Sequence, residues 1–159
     1  MGKQHQYELE ITWTGNQGTG TSAYKAYSRS HRLSIAGKKE IACSSDSPFM
    51  GDPALHNPED FFLASLSSCH MLWYLHLCAD AGVVVIAYDD QAKGTLTIDE
   101  NGKGRFTEVI LSPNITVTEA SMISTAIALH QKAHEFCFIA NSCSTKISHH
   151  PQCKSADAS

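Results

Sequence analysis

The segment "HNPEDFFLASLSSCHMLW", His56–Trp73, constrains this chain more than any other. Asn57 suits a helix N-cap and Pro58 the first helical position, and Glu59 and Asp60 complement the positive end of a helix dipole. The pattern predicts a helix from Pro58 to about Ala81, with Gly82 as its stop. Phe62, Leu66, Cys69, Trp73 and His76 or Leu77 share one face. Phe61, Leu72 and Leu75 carry the apolar character most of the way round. A helix apolar on nearly every side belongs at the centre of a fold, so the rest of the chain has to wrap it.

The remaining segments supply that wrapping. "YELEITWTG" alternates Tyr7, Leu9, Ile11 and Trp13, a strand period. "SAYKAYS", "HRLSIA" and "EIACS" follow as further strand, so the N-terminal third reads as an antiparallel meander. After the helix, "VVVIAYDDQAKGTLTID" and "RFTEVILSPNITV" read as two long strands joined by an "ENGKG" turn. A second helix is expected to start near Thr116–Thr118, with Thr116 and Glu119 as a capping box. A turn and a last strand close the chain. The order predicts an α+β fold, two helices on mostly antiparallel sheet, in a single domain over 1–159. Residues from about 150, including Cys153, read as a frayed tail.

Composition narrows the function classes. Of 159 residues, 42% are hydrophobic and 18% charged, an ordinary globular balance. The net charge of -4 weighs against nucleic acid as a partner. The N-terminus lacks the apolar core of a signal peptide, and no apolar run reaches the roughly 18 residues of a membrane span. A soluble, cytoplasmic chain without a membrane partner is expected.

Six cysteines stand at 43, 69, 78, 137, 143 and 153, with no CxxC pair to suggest a structural zinc site. Cys43, Cys78 and Cys153 read as small hydrophobes. Cys69 sits among mostly apolar helical neighbours, a setting that by itself leaves a thiol inert. A reactive Cys69 needs a cation from elsewhere in the fold. His70 points about 100° away, and the arginines are Arg29, Arg32 and Arg105. Glu59 precedes Cys69 by ten residues, roughly 15 Å along a helix, so it cannot touch its own Cys69. Glu59 either serves the helix dipole alone, or shares a site with Cys69 of a second, antiparallel copy in a two-fold dimer. In the second helix His130, His134 and Cys137 fall on one stripe, a spacing compatible with a metal.

Taken together, these motifs resemble the OsmC/Ohr family. "NPEDFFLASLSSCHM" is similar to the family's first-cysteine motif and "AHEFCFIANS" to its second, 68 residues apart in the expected order. "WTGNQGTGT" and the order of strands and helices are also similar, so the likeness runs from about Trp13 to Ile147. The resemblance implies an OsmC-like, intertwined homodimer with the two helices central. It implies thiol-dependent reduction of organic hydroperoxides, with no cofactor and no metal. Carried over by position, Cys69 is the peroxidatic thiol, Cys137 the resolving thiol, and Glu59 the residue that orients an arginine. The loop "SPFMGDP", where some relatives carry that arginine, has none. Arg29 is then the first candidate and Arg32 the second.

The implied cycle oxidises Cys69 to a sulfenic acid, closes a Cys69–Cys137 disulfide and reopens it with an external dithiol. Trp73, Leu66 and Phe62 would form an apolar entrance. Cys143 could rival Cys137 as resolver. The alternative is a metal- or ligand-binding stress protein of the same fold, using His130, His134 and Cys137.

Overall fold

A computed structural model describes residues 2–157, arranged as two compact units, 1–61 and 62–159. The first unit holds the expected meander: β1 (Glu10–Trp13), β2 (His31–Ser34) and β3 (Ile41–Cys43), antiparallel in the order β1-β2-β3. The expected strand over "SAYKAYS" is instead a set of turns, tied in only by an isolated bridge between Asn16 and Tyr27. The backbone N–H groups of Gly18 and Gly20 donate to Asn16 Oδ1, which favours a turn over a ladder.

The central helix, α1, spans Pro58–Asp80. Its start is a reciprocal cap. Asp60 N–H donates to Asn57 Oδ1 at 2.8 Å, and Asn57 N–H donates to Asp60 Oδ2 at 3.2 Å. Asp60 thus completes the cap and leaves the Glu59 carboxylate out of it. The helix stops as expected at Gly82, where φ is +71° and Val83 N–H reaches back to the Cys78 carbonyl. A Cβ at Gly82 would meet nothing within 4 Å, so only backbone strain opposes a side chain. Gly82→Ala is expected to cost about 1 kcal/mol, read as a lowered urea midpoint. By length and composition alone α1 could cross a membrane. It serves instead as the spine of residues 62–159, burying Leu66, His70, Tyr74, Leu77 and Cys78.

Two three-stranded sheets pack on that spine. One joins β4 (Val85–Asp90), β7 (Pro113–Val117) and β9 (Gln152–Ser155), in the order β4-β7-β9. The other joins β5 (Lys93–Ile98), β6 (Gly104–Leu111) and β8 (Lys146–His149), in the order β5-β6-β8. Each expected long strand is therefore broken in two, and each half belongs to a different sheet. Asp90 fixes the break: its carboxylate accepts Ser112 N–H at 2.7 Å and the Ser67 hydroxyl. Pro113, with no N–H to give a ladder, begins β7. Pairing is mixed, with β6–β8 and β7–β9 parallel.

The second helix, α2, spans Ile123–Phe136, later than expected. Thr116 cannot cap it because Thr116 is in the ladder, opposite Ala87 and Lys154. The tail is also not frayed through 152–155, which form β9 against β7 with Cys153 packed on the core. Its last two residues, 158 and 159, lie outside the described residues. The first half of α1 packs Leu66 on Val109 and Leu111, with Phe62 stacked on Phe106 at 4.6 Å. The second half packs Tyr74, Leu77 and Cys78 on Ile115, Val117, Ala126 and Ala133. Cys69 and His70 fall between Leu66 and Tyr74 along α1, between the stretches that serve the two cores.

Candidate active site

Cys137 caps the C-terminus of α2, its N–H bonded to the His134 carbonyl. The chain then leaves the helix, and the Cys137 thiol lies close enough to Cys69 for the two groups to act on one another. The Ala140 N–H donates to Cys137 Sγ at 3.4 Å and holds the sulfur in place. The two thiols differ in setting. Cys69 is half-buried, while Cys137 is buried, and burial above all pushes its thiol up to about 11. Cys137 therefore keeps its proton at neutral pH.

Cys69 opens onto an apolar pocket of about 510 Å³. Ser65, Ser68, Leu72, Trp73 and His76 line it from α1, and Phe138 and Ile139 from the segment after α2. Trp73 holds the wall by ring contacts to Phe136 at 5.1 Å and Phe138 at 5.4 Å. Of the three residues expected at an entrance, only Trp73 lines this pocket. Leu66 and Phe62 pack into the core with β6.

The polar interior was not legible in the sequence. His70 and His130 are both buried and share a hydrogen bond, Nε2 to Nδ1, of 2.9 Å. Tyr74 stacks on the His130 ring at 3.9 Å, and His149 of β8 lies against His70 and His134. Burial, then the neighbouring rings, lowers His70 to about 3, and burial with His149 lowers His130 to about 4. The stripe whose spacing is compatible with a metal is divided: His130 turns to His70, and Cys137 to Cys69. Among the described residues no group of three or more His, Cys, Asp or Glu side chains is set to hold a metal ion. The spacing of His70 and Tyr74 on one stripe was the available signal for the interior pair; nothing local pointed to His149.

Of the other candidates, Cys143, Arg29 and Arg32 have partners of their own. Cys143 Sγ points to the Ala140 carbonyl at 3.6 Å and packs with Leu66 and Ile147. Within 1–61, two of the five N–H donors of Arg29 go to the carbonyls of Tyr27 and Tyr24, at 2.6 and 2.7 Å. The Arg29 guanidinium also lies over both tyrosine rings, at 4.1 and 4.3 Å from their centroids. Arg32 is engaged with Glu40 at 3.7 Å. Glu59 stands half-buried in the first turn of α1.

A pair of thiols on a two-helix α+β scaffold, one open to a pocket and one buried and protonated, defines a dithiol protein. Residues 51–150 match the family model described as OsmC-like protein, and the chain belongs to that family. An OsmC-like protein of unknown function from Vibrio cholerae is 30% identical. The match covers 94% of this chain and 100% of that one, with a TM-score of 0.84. An organic hydroperoxide resistance protein from Elizabethkingia anophelis is 22% identical over 96% and 99%, TM-score 0.68. An organic hydroperoxide resistance protein OsmC from Legionella pneumophila is 16% identical over 96% and 99%, TM-score 0.70. The last two establish likeness of fold alone. Among curated proteins no sequence matches the chain.

Proposed function

We propose that this protein reduces organic hydroperoxides with its own thiols. One observation carries the reading: the Cys137 thiol is buried beside Cys69, and Cys69 opens onto an apolar pocket. Cys69 sulfur attacks the outer oxygen of ROOH, the O–O bond breaks, and ROH leaves with Cys69 oxidised to a sulfenic acid. The Cys137 sulfur then attacks the Cys69 sulfur. The sulfenic hydroxyl leaves with the Cys137 proton as water, and a Cys69–Cys137 disulfide remains. An external dithiol restores both thiols by exchange and is itself oxidised to a disulfide. The burial of Cys137 suits a resolving thiol, because of the two only Cys69 is open to substrate; Cys137 gives up its proton as it attacks, to the departing hydroxyl. Leu72, Trp73 and Phe138 favour an apolar R group over hydrogen peroxide.

Arg29 is the cation of this reading, oriented by Glu59. Its guanidinium is already held by two carbonyls and two rings, with three N–H donors to spare. Arg29→Ala is expected to slow the peroxide step about a hundredfold, measured by stopped-flow with cumene hydroperoxide at a temperature where the variant, whose thermal midpoint falls with the lost carbonyl and ring contacts, is still folded. An unaltered rate would pass the role to Arg32.

The reading includes a homodimer in a reducing cytoplasm, where six free cysteines are stable. Large apolar side chains are left exposed, among them Leu72 (63%) and Phe138 (66%) at the pocket, Leu9 just before β1 and Ile11 within it. A second copy would cover them. The deciding experiment treats the reduced protein with one equivalent of organic hydroperoxide and maps the disulfide by mass spectrometry. A Cys69–Cys137 link with stoichiometric alcohol supports the function. A link through Cys143, or no hydroperoxide consumed, overturns it.

A further inference from the structure

The two helices touch at places that are far apart on one and close together on the other. On α1, Cys69 and Trp73 form one stripe, and His70 and Tyr74 the next stripe, about 100° round. Cys69 and Trp73 meet Cys137, Phe136 and Phe138, whereas His70 and Tyr74 meet His130. His130 and Cys137 are seven residues apart, roughly 10 Å along α2. So α2 passes across α1 rather than along it. In such a crossing the thiol contact at one end depends on what fixes the other end.

What fixes it is polar and buried. His70 and His130 are 1% and 2% exposed. Their mutual bond is the single hydrogen bond each ring makes, because His70 Nδ1 and His130 Nε2 have no partner among the described residues. We infer that the His70–His130 hydrogen bond positions Cys137 against Cys69, and that acid releases it. These two histidines are positioning residues for the disulfide step, so the inference rests on the function proposed above.

The acid response follows from where the protons sit. In the neutral pair one facing nitrogen donates and the other accepts. One added proton leaves an N–H donor facing a lone pair; a second puts hydrogen on both facing nitrogens and ends the bond. Among the described residues no carboxylate acts on either ring. The ionisable groups acting on His70 are His130 and His134 of α2 and His149 of β8, and His149 acts on His130. His149 in turn faces His134 and His150. On α1 the neighbour is Tyr74, whose phenol burial keeps neutral, as it does that of Tyr88 on β4. At about pH 5.5 each ring that is neutral when held and titrates normally when released favours release about tenfold.

The test reads the thiol pair without peroxide. The full chain is equilibrated in glutathione redox buffers at about pH 7.5 and about pH 5.5, and the Cys69–Cys137 disulfide is quantified after acid quench and alkylation. Its effective concentration is expected to fall about tenfold or more at the lower pH. His130→Ala is expected to lower it already at the higher pH. The double variant His70→Gln, His130→Asn keeps an amide at each facing position and cannot titrate. It is expected to match the native chain at the higher pH and to show no acid response. A native value independent of pH, or an equal acid response in the double amide, overturns the inference even if His130→Ala fails to fold. A chain with the acid response that consumes no hydroperoxide would sink the function and keep the clamp.

Discussion

Cys69→Ser is expected to lower hydroperoxide turnover by a factor on the order of 10⁴ or more. The serine hydroxyl is a far weaker nucleophile toward an O–O bond and cannot hold the oxygen as a sulfenic acid. The fold should survive, because Cys69 is only half-buried and faces the pocket. Cys137→Ser separates the two steps. The first equivalent of hydroperoxide should still be consumed, and turnover should then stop. Cys69 would accumulate as sulfenic acid, trappable by the enolate carbon of a 1,3-diketone, and further peroxide would carry it to the sulfinic acid. Steady-state assays beside single-turnover assays check both. Normal turnover in Cys69→Ser would leave the thiol pair without a catalytic role.

The second large effect is acid lability. His70 and His130 are lowered by burial to about 3 and about 4, from an ordinary histidine value near 6.5. Folding therefore favours the neutral rings. That contribution is fully present above pH 6.5 and is lost as pH falls through the window from 6.5 toward the folded values. Each ring would cost roughly 3 kcal/mol by pH 4, and His149, also lowered by burial, acts in the same direction. Against a total stability on the order of 5–15 kcal/mol, this is enough to bring the chain close to unfolding. Urea titrations from neutral pH to about pH 4 should show the midpoint falling steeply below about pH 6. The double variant His70→Gln, His130→Asn should fall less over the same range. Equal slopes for the two proteins would assign the acid response to carboxylates elsewhere.

Local chemistry was legible in the sequence wherever a structure is decided by neighbours along the chain. Asn57, Pro58 and Gly82 placed the ends of α1 to within a residue, because caps and a left-handed stop are short-range geometry. The meander of β1, β2 and β3 followed from alternation in the first strand and the turn residues between the others, though the same reading added a strand over "SAYKAYS" that the structure lacks. The α+β class was also readable, and the resemblance, not local chemistry, named Cys69 and Cys137 as a pair. Where a long-range partner overrides local preference, the reading failed. Thr116 looks like a cap but is held in a ladder, and Asp90 breaks two apparent strands by reaching Ser112 and Ser67. "PQCKS" has tail composition but finds an edge on β7.

The amino-acid order by itself determined which groups this protein could use: a thiol in the middle of a central helix, another at the end of a second helix, and a carboxylate at the first turn. Only the folded chain decided that α2 crosses α1, so that Cys137 meets Cys69 and His130 meets His70 instead of both facing a metal. Spacing along a helix says which side chains share a face. It does not say which face of another helix they will meet, because that is set by how two cores pack on either half of α1.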